Sequence, residues 1–322
     1  MTAAVMSSLI AERRHAEDAI YLLVDPLADC APEQLLSLAS LMEALGADAL
    51  TTVARPDLAH TPSACPVLIR LAGPGQEPAT AFIRQVSQHA LADVVHRRRY
   101  ICGLLLSPFD ADALAEHVAA RCMDFSGSAV GGMSPWFEPL RLELLAASMS
   151  RESLGHRLWP IRTWLLPTSW GSFAIVNGAP GGPAAADASS AQADPLPALA
   201  RQTQQDAVLI ATLLAAWRRS LQQPLAYAPR RWQGQTPLPP QAAAEAFRMI
   251  RQARQIGLTD SRDIIVLALH QETIHPRLLH YEPLRLALSR TSPGGAATAL
   301  AACGDLAWQR IAHHLNLAET TS

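Results

Sequence analysis

The sequence predicts an N-terminal lobe of α/β (α+β) class, a small mixed sheet with packed helices, followed by an all-α C-terminal lobe. Three observations predict it. Through residues 1–176, short apolar runs bounded by turn residues alternate with segments of helical period, the pattern of helices packed on a sheet. Residues 177–197 (NGAPGGPAAADASSAQADPLP) are almost all small residues, proline and glycine. Such a stretch cannot bury enough apolar surface to order itself, so it reads as a flexible linker. Residues 198–322 then show helical patterning throughout, which sets a helical lobe apart from the first.

Taken in order, residues 8–19 read as a short leading helix and 20–24 (IYLLV) as a buried strand closed by Asp25-Pro26. Leucines at 35, 36, 38, 41 and 45 give residues 32–45 one apolar helical face, stopped by Gly46. Residues 49–53 and 66–71 (PVLIRL) are the next strands. Gly73-Pro74-Gly75 turns the chain into a helix over 80–95. Residues 100–107 (YICGLLLS) form the strongest strand signal, and Asp110 caps a helix over 111–121. Residues 126–133 are glycine-rich and read as a loop or a hairpin near the sheet edge. Pro139 suits the first turn of a helix over 140–150, and 173–176 is a last strand. Beyond the linker, helices are expected over 198–222, 241–256 with a stop at Gly257, 259–271 with Thr259 or Asp260 as cap, 283–289, and 297–315. Residues 224–240 are a proline-rich connection.

The totals bound the function. The chain has 322 residues, a formal net charge of −2, 49% hydrophobic and 17% charged residues. A near-neutral balance without a basic face points away from nucleic acid. No run of about 18 apolar residues suggests a membrane span, and the N-terminus lacks the pattern of a cleaved signal. Five cysteines without a C-x-x-C pair read as free buried thiols in a reducing cytoplasm.

The search for chemistry yields no catalytic signature. Gly73-Pro74-Gly75 occupies a position used by phosphate loops but lacks their further glycines and Lys-Ser/Thr, so it reads as a turn. His270, His275 and His280 recur at a spacing of five, which scatters them around a helix, unlike paired zinc ligands. No catalytic, metal or cofactor-binding residue is assigned. His96-Arg97-Arg98-Arg99 reads as a solvated connection, with an acidic-partner patch as the alternative. Residues 134–170 hold four of the seven tryptophans: Trp136, Trp159, Trp164 and Trp170. They suit packing and recognition. Trp136, the aromatic of the group most expected at the surface, begins a corner of Phe137, Glu138 and Pro139. Arg230-Arg231-Trp232 sets an aromatic beside arginines, a combination suited to protein contact.

Ordered landmarks add a family. Residues 21–26 (YLLVDP) are similar to an opening Y-x-L-L-D strand, and 65–71 (CPVLIRL) to an A-P-x-L-v-x-L strand. Ser107, Leu114, His117 and Val118 fit an S-x-x-x-x-x-x-L-x-x-H-L pattern. Residues 136–140 (WFEPL) stand where an R-F-Y-D-P-R corner is expected, 158–164 (LWPIRTW) resemble l-f-G-P-I-x-x-W, and 253–264 (ARQIGLTDSRDI) resemble A-x-x-y-G-i-x-x-x-x-d-l. Together they resemble the bacterial type VI secretion adaptors, the effector chaperones that load toxins onto the VgrG spike. The resemblance spans most of the chain apart from the linker and the proline connection. Glu138 replaces the aspartate and Leu140 the arginine of the corner, and Ser134-Pro135 the upstream arginine. Either Arg141 substitutes one position later or the acid–arginine pair is absent.

The resemblance implies a cytoplasmic, non-enzymatic adaptor with no cofactor. Its partners would be a toxin effector and VgrG or a related spike protein, with Trp136, Phe137, Glu138, Arg141, Arg230, Arg231 and Trp232 as contact residues. Apolar and aromatic surface would cover an effector segment. The alternatives are a small-ligand or phosphate-binding α/β enzyme with a helical lid, using the Gly73–Gly75 turn, and a secretion scaffold without a toxin client.

Overall fold

β1 (Ala19–Val24) is the strand around which the N-terminal sheet forms. In the computed structural model, which describes residues 3–125, 133–179, 195–222 and 237–320, all six of its residues are buried. Its side chains alternate between two cores. Tyr21 and Leu23 enter one, and Ile20, Leu22 and Val24 the other, as a strand covered on both faces requires.

The sheet has β2 (Leu50–Thr52), β3 (Val67–Ala72), β4 (Ile101–Ser107), β5 (Thr163–Pro167) and β6 (Phe173–Asn177) beside β1, in the order β2-β3-β1-β4-β5-β6. The expected α+β lobe is present, but all five strand pairings are antiparallel rather than mixed. The alternation of strand and helix suggested otherwise because β3 and β4, joined by a helix, do run parallel. They are separated by β1, a split β-α-β arrangement.

Helices cover both faces. The α1 (Ala3–Arg13), α2 (Leu38–Leu45) and α3 (Thr80–Ala92) side receives Met6, Ile10, Leu41, Ile83 and Val86. The other side receives Leu114 and Val118 of α4 (Ala111–Asp124), Leu142 and Leu145 of α5 (Pro139–Ser148), and Leu154 and Leu158 of α6 (Arg151–Leu158).

Local chemistry explains the boundaries. α2 starts only at Leu38 because the Ser37 hydroxyl accepts from the Ser40 amide. Asp110 caps α4 by accepting from the Ala113 amide at 2.9 Å, as expected. Ser150 starts α6, accepting from Ser153 N, a helix that the apolar spacing alone does not separate from α5. β5 was likewise not expected as a strand, since its five residues follow closely on Pro160 and end in Pro167.

A bulge in β4 shapes the centre of the sheet. Leu23 pairs with Gly103 but Val24 with Ile101, so Cys102 is the extra residue. Gly103 has φ +149°, and a Cβ there would lie 2.2 Å from Trp164 Nε1 and 2.8 Å from Leu165 O. The space goes to the Trp164 indole, whose Nε1 donates to Cys102 O at 3.2 Å.

The chain divides into two units, Met1–Ala207 and Val208–Ser322. The division falls inside α7 (Ala198–Gln222), after the expected linker at 177–197. Residues 180–194 of that linker lie outside the described residues.

The second unit is helical: the remainder of α7, then α8 (Ala242–Gln255), α9 (Ser261–Thr273), α10 (Glu282–Ser289), α11 (Gly295–Ala301) and α12 (Asp305–Thr320). α8 buries Ala246, Phe247, Ile250 and Ala253 and ends at Gln255, two residues before Gly257, φ +94°. Asp260 caps α9. The single last helix expected over 297–315 is instead two, α11 and α12, with Gly304 in the break. Asp263 holds the start of α11. Its carboxylate accepts from Gly294 N and Ala297 N, both at 2.8 Å.

Candidate functional site

The corner at residues 134–141 is built from the core outward. Ser134 N donates to Cys122 O at 2.8 Å, and Trp136 Nε1 donates to Val118 O at 3.0 Å. Both bonds tie the segment to α4. The Trp136 ring lies 5.0 Å from Phe125 and 5.3 Å, edge-on, from Trp164, a geometry that aromatic quadrupoles favour. Phe137 lies under the Arg55 guanidinium, 5.8 Å from its ring centre. Arg55 is held in turn by Asp57 at 2.6 Å, and that bond keeps the Asp57 carboxyl below its usual range.

Trp136 and Phe137 therefore have no exposed surface. The expectation that they contact a partner is corrected: their rings fill the core beneath the sheet and could reach a partner only by opening it.

Glu138 and Arg141 come out differently. Pro139 takes the first turn of α5, where its missing amide costs little. Glu138 precedes it but does not cap the helix. Its carboxylate faces Arg98 Nη2 at 3.1 Å and Arg141 Nε at 3.2 Å. The acid–arginine pair left open by the altered corner is thus present, with Arg141 as its arginine. Arg141 also donates to Gln204 O at 3.0 Å, and Gln204 Nε2 donates back to Arg141 O at 3.1 Å. This joins α5 to the first part of α7.

Arg98 extends the network inward. Its Nε lies 3.2 Å from Oδ2 of Asp25 at the end of β1. Asp25 Oδ1 accepts from Leu27 N at 3.0 Å. Burial pushes the Asp25 carboxyl above its usual range, and the Arg98 charge works against that shift. The chain contains no lysine, and both cations of the network are guanidinium groups, whose planar fork can serve two carboxylates at once, as that of Arg98 does.

Three members of this network were not singled out from the sequence: Asp25, Arg98 and Gln204. The D-P step after a buried strand could have flagged Asp25. Arg98 was hidden in the run 96–99, which is only partly a solvated connection. Arg98 is half-buried and Arg99 is buried, donating to Thr168 O at 2.8 Å, while His96 and Arg97 stay exposed. Nothing local in the sequence connects Gln204 to the corner. Arg230, Arg231 and Trp232 lie outside the described residues.

The Gly73–Gly75 turn is closed internally. Gln76 N donates to Gly73 O at 3.1 Å, Gly73 N donates to the Gln76 side chain, and the Arg14 guanidinium donates to the carbonyls of Gly73 and Gln76. Beside it lies an open cleft of about 290 Å3, lined in part by Arg14, His15, Glu77 and Thr80. The three spaced histidines do not converge. His270 packs on Trp308 in the helical unit, with ring centres 5.0 Å apart. Among the described residues no group of three or more His, Cys, Asp and Glu side chains could hold a metal ion. Nor, among them, is any helix long and apolar enough to cross a membrane.

No family model matches this chain, and neither do curated proteins or solved structures.

Proposed function

We propose that the chain is a non-enzymatic adaptor that binds a type VI secretion toxin effector and helps load it onto a VgrG-like spike in the cytoplasm. The observation that carries this reading is the corner. In the resembled family it holds an acid and an arginine around a proline. Here Glu138 and Arg141 pair at 3.2 Å around Pro139 despite the altered spelling. Other landmarks also fall at structural joints. Residues 21–26 end on Asp25, bound to the same network through Arg98, and Ser107 donates to Pro160 O at 3.0 Å, joining two further landmarks.

The mechanism is noncovalent: surface of the adaptor covers an effector segment that would otherwise associate wrongly. Arg230-Arg231-Trp232 stays in the proposal as a contact element, and Trp136 and Phe137 do not. The test is co-expression with each protein encoded beside this chain, read by co-purification at fixed stoichiometry. Capture of a toxin-like or spike-like neighbour is expected, and no stable complex with any neighbour would sink the reading. The rival, a phosphate-binding enzyme, has the cleft beside Gly75 in its favour. A saturable thermal shift with nucleotides or sugar phosphates would support it instead.

A further inference from the structure

The loop at 93–100 and the tip of the β5–β6 hairpin lie side by side, and each is pinned from below by buried charged groups. Asp93 accepts from Tyr100 N at 2.6 Å, and His96 N donates to Asp93 O at 3.0 Å. Arg99 donates to Thr168 O. Glu143 reaches the tip from α5, accepting from Ser169 N at 2.7 Å and Ser169 Oγ at 2.8 Å. The Thr168 hydroxyl closes the turn by accepting from Ser172 N at 3.0 Å. The bond from Arg99 to Thr168 O, 2.8 Å, holds the two segments together, and a Cβ added at Gly171 would just reach Val94, at 4.0 Å.

Desolvating Asp93, Arg99 and Glu143 is costly, and the hydrogen bonds that each makes to these two segments offset part of that cost. What that fixed framework displays is Val95, 59% exposed, the exposed His96 and Arg97, and the half-buried Trp170. No carboxylate lies within ion-pair distance of Arg97 among the described residues, because the neighbouring Asp25 and Glu138 are taken by Arg98. A tryptophan carried on a pinned turn and an arginine without an acidic neighbour are the residue types that dominate protein interfaces.

We propose that Val95, Arg97 and Trp170 form a protein-docking surface for an acidic segment of the partner that carries an apolar anchor. Arg97 supplies the charge complementarity that selects the acidic segment, and Val95 and Trp170 take the apolar group. The proposal rests on the adaptor reading and names the surface through which that reading would operate.

The test uses the full chain and the purified products of the genes beside its own, each titrated separately. Variants are Trp170→Ala, Arg97→Glu and, as a control elsewhere on the surface, Arg84→Glu, all checked for folding by circular dichroism. Trp170→Ala and Arg97→Glu are each expected to weaken binding by about tenfold or more, with Arg84→Glu unchanged. Arg97→Glu should also reduce the salt dependence of the association rate. Binding within twofold of the parent for both variants would overturn the surface while leaving the adaptor reading intact. If the parent chain binds none of these proteins, the adaptor reading and this surface fall together. A dimer of this chain that Trp170→Ala dissociates would identify a second copy as the occupant and overturn the acidic-segment proposal.

Discussion

Replacing Gly103 by alanine should be among the most damaging single-methyl additions in the N-terminal unit. The new Cβ would stand 2.2 Å from Trp164 Nε1, 2.7 Å from Trp164 Cδ1 and 2.8 Å from Leu165 O. Trp164 is fully buried and packed edge-on against Trp136, so the indole has nowhere to retreat. Overpacking of this kind costs about 1–3 kcal/mol. Displacing the indole also breaks its bond to Cys102 O, and leaving a buried donor unpaired costs about 1–3 kcal/mol. The φ of +149° adds about 1–3 kcal/mol for a residue with a side chain. These terms overlap, because one shift relieves part of each, and a net loss of about 3–5 kcal/mol is expected. With a urea m-value of about 2–3 kcal/mol/M, the midpoint should fall by about 1–2 M. Equilibrium urea unfolding followed by tryptophan fluorescence measures it. A midpoint within about 0.3 M of the parent would refute the reasoning. So would strict additivity of Gly103→Ala with Trp164→Leu, since the second change removes the obstruction met by the first.

Asp263→Ala should cost about 2–4 kcal/mol, because two amides at the start of α11 lose their acceptor in a buried setting; Asp263→Asn should recover part of the loss, and hydrogen exchange at Gly294 and Ala297 reads it directly. His117 is held neutral by burial, with Arg121 adding to the effect, and its pKa is pushed down to about 3. A depressed folded value means that its contribution is full above the unfolded pKa of about 6.5 and is lost as pH falls, by up to about 1.4 kcal/mol per unit. Urea titrations at pH 7 and 4.5 should show this slope in the parent and a smaller one in His117→Phe. Asp25 has the opposite sign. Its raised folded pKa means that stability is greatest below the unfolded value of about 3.9 and falls as pH rises through the folded one. Asp25→Asn should therefore be as stable as the parent or more so at pH 7, and a loss above about 2 kcal/mol would show that the contact with Arg98 outweighs the burial.

Much of the fold was legible because its strands are short apolar runs with strong punctuation. IYLLV before Asp25-Pro26 and ICGLLLS before Pro108 could hardly be anything but buried strands. The sheet's order was not legible, since β1 inserts between β3 and β4 through contacts far apart in the chain. β5 escaped notice because a strand of five residues ending in proline carries little periodic signal. The corner was legible as a feature but misread in part. Aromatic residues beside an acid and a proline suit a surface, and only the three-dimensional meeting of Phe125, Trp136 and Trp164 shows them to be core. Arg98 and Arg99 were misread for a related reason: a run of charges looks solvated until its individual carboxylates and carbonyls are located.

The place of β1 in the sheet also has a consequence for biosynthesis. β1 is made before both of its neighbours, which begin only at Val67 and Ile101. At about 5–20 residues per second, the roughly 80 residues between Val24 and Ser107 take about 4–16 s to translate. Throughout that interval one edge of β1 has no partner, and its apolar side chains lack the helices that later cover both faces. Nascent chains arrested before Ser107 should therefore stay protease-sensitive and prone to self-association. Arrest beyond Asn177, once all six strands have left the ribosome, should give a protected N-terminal unit.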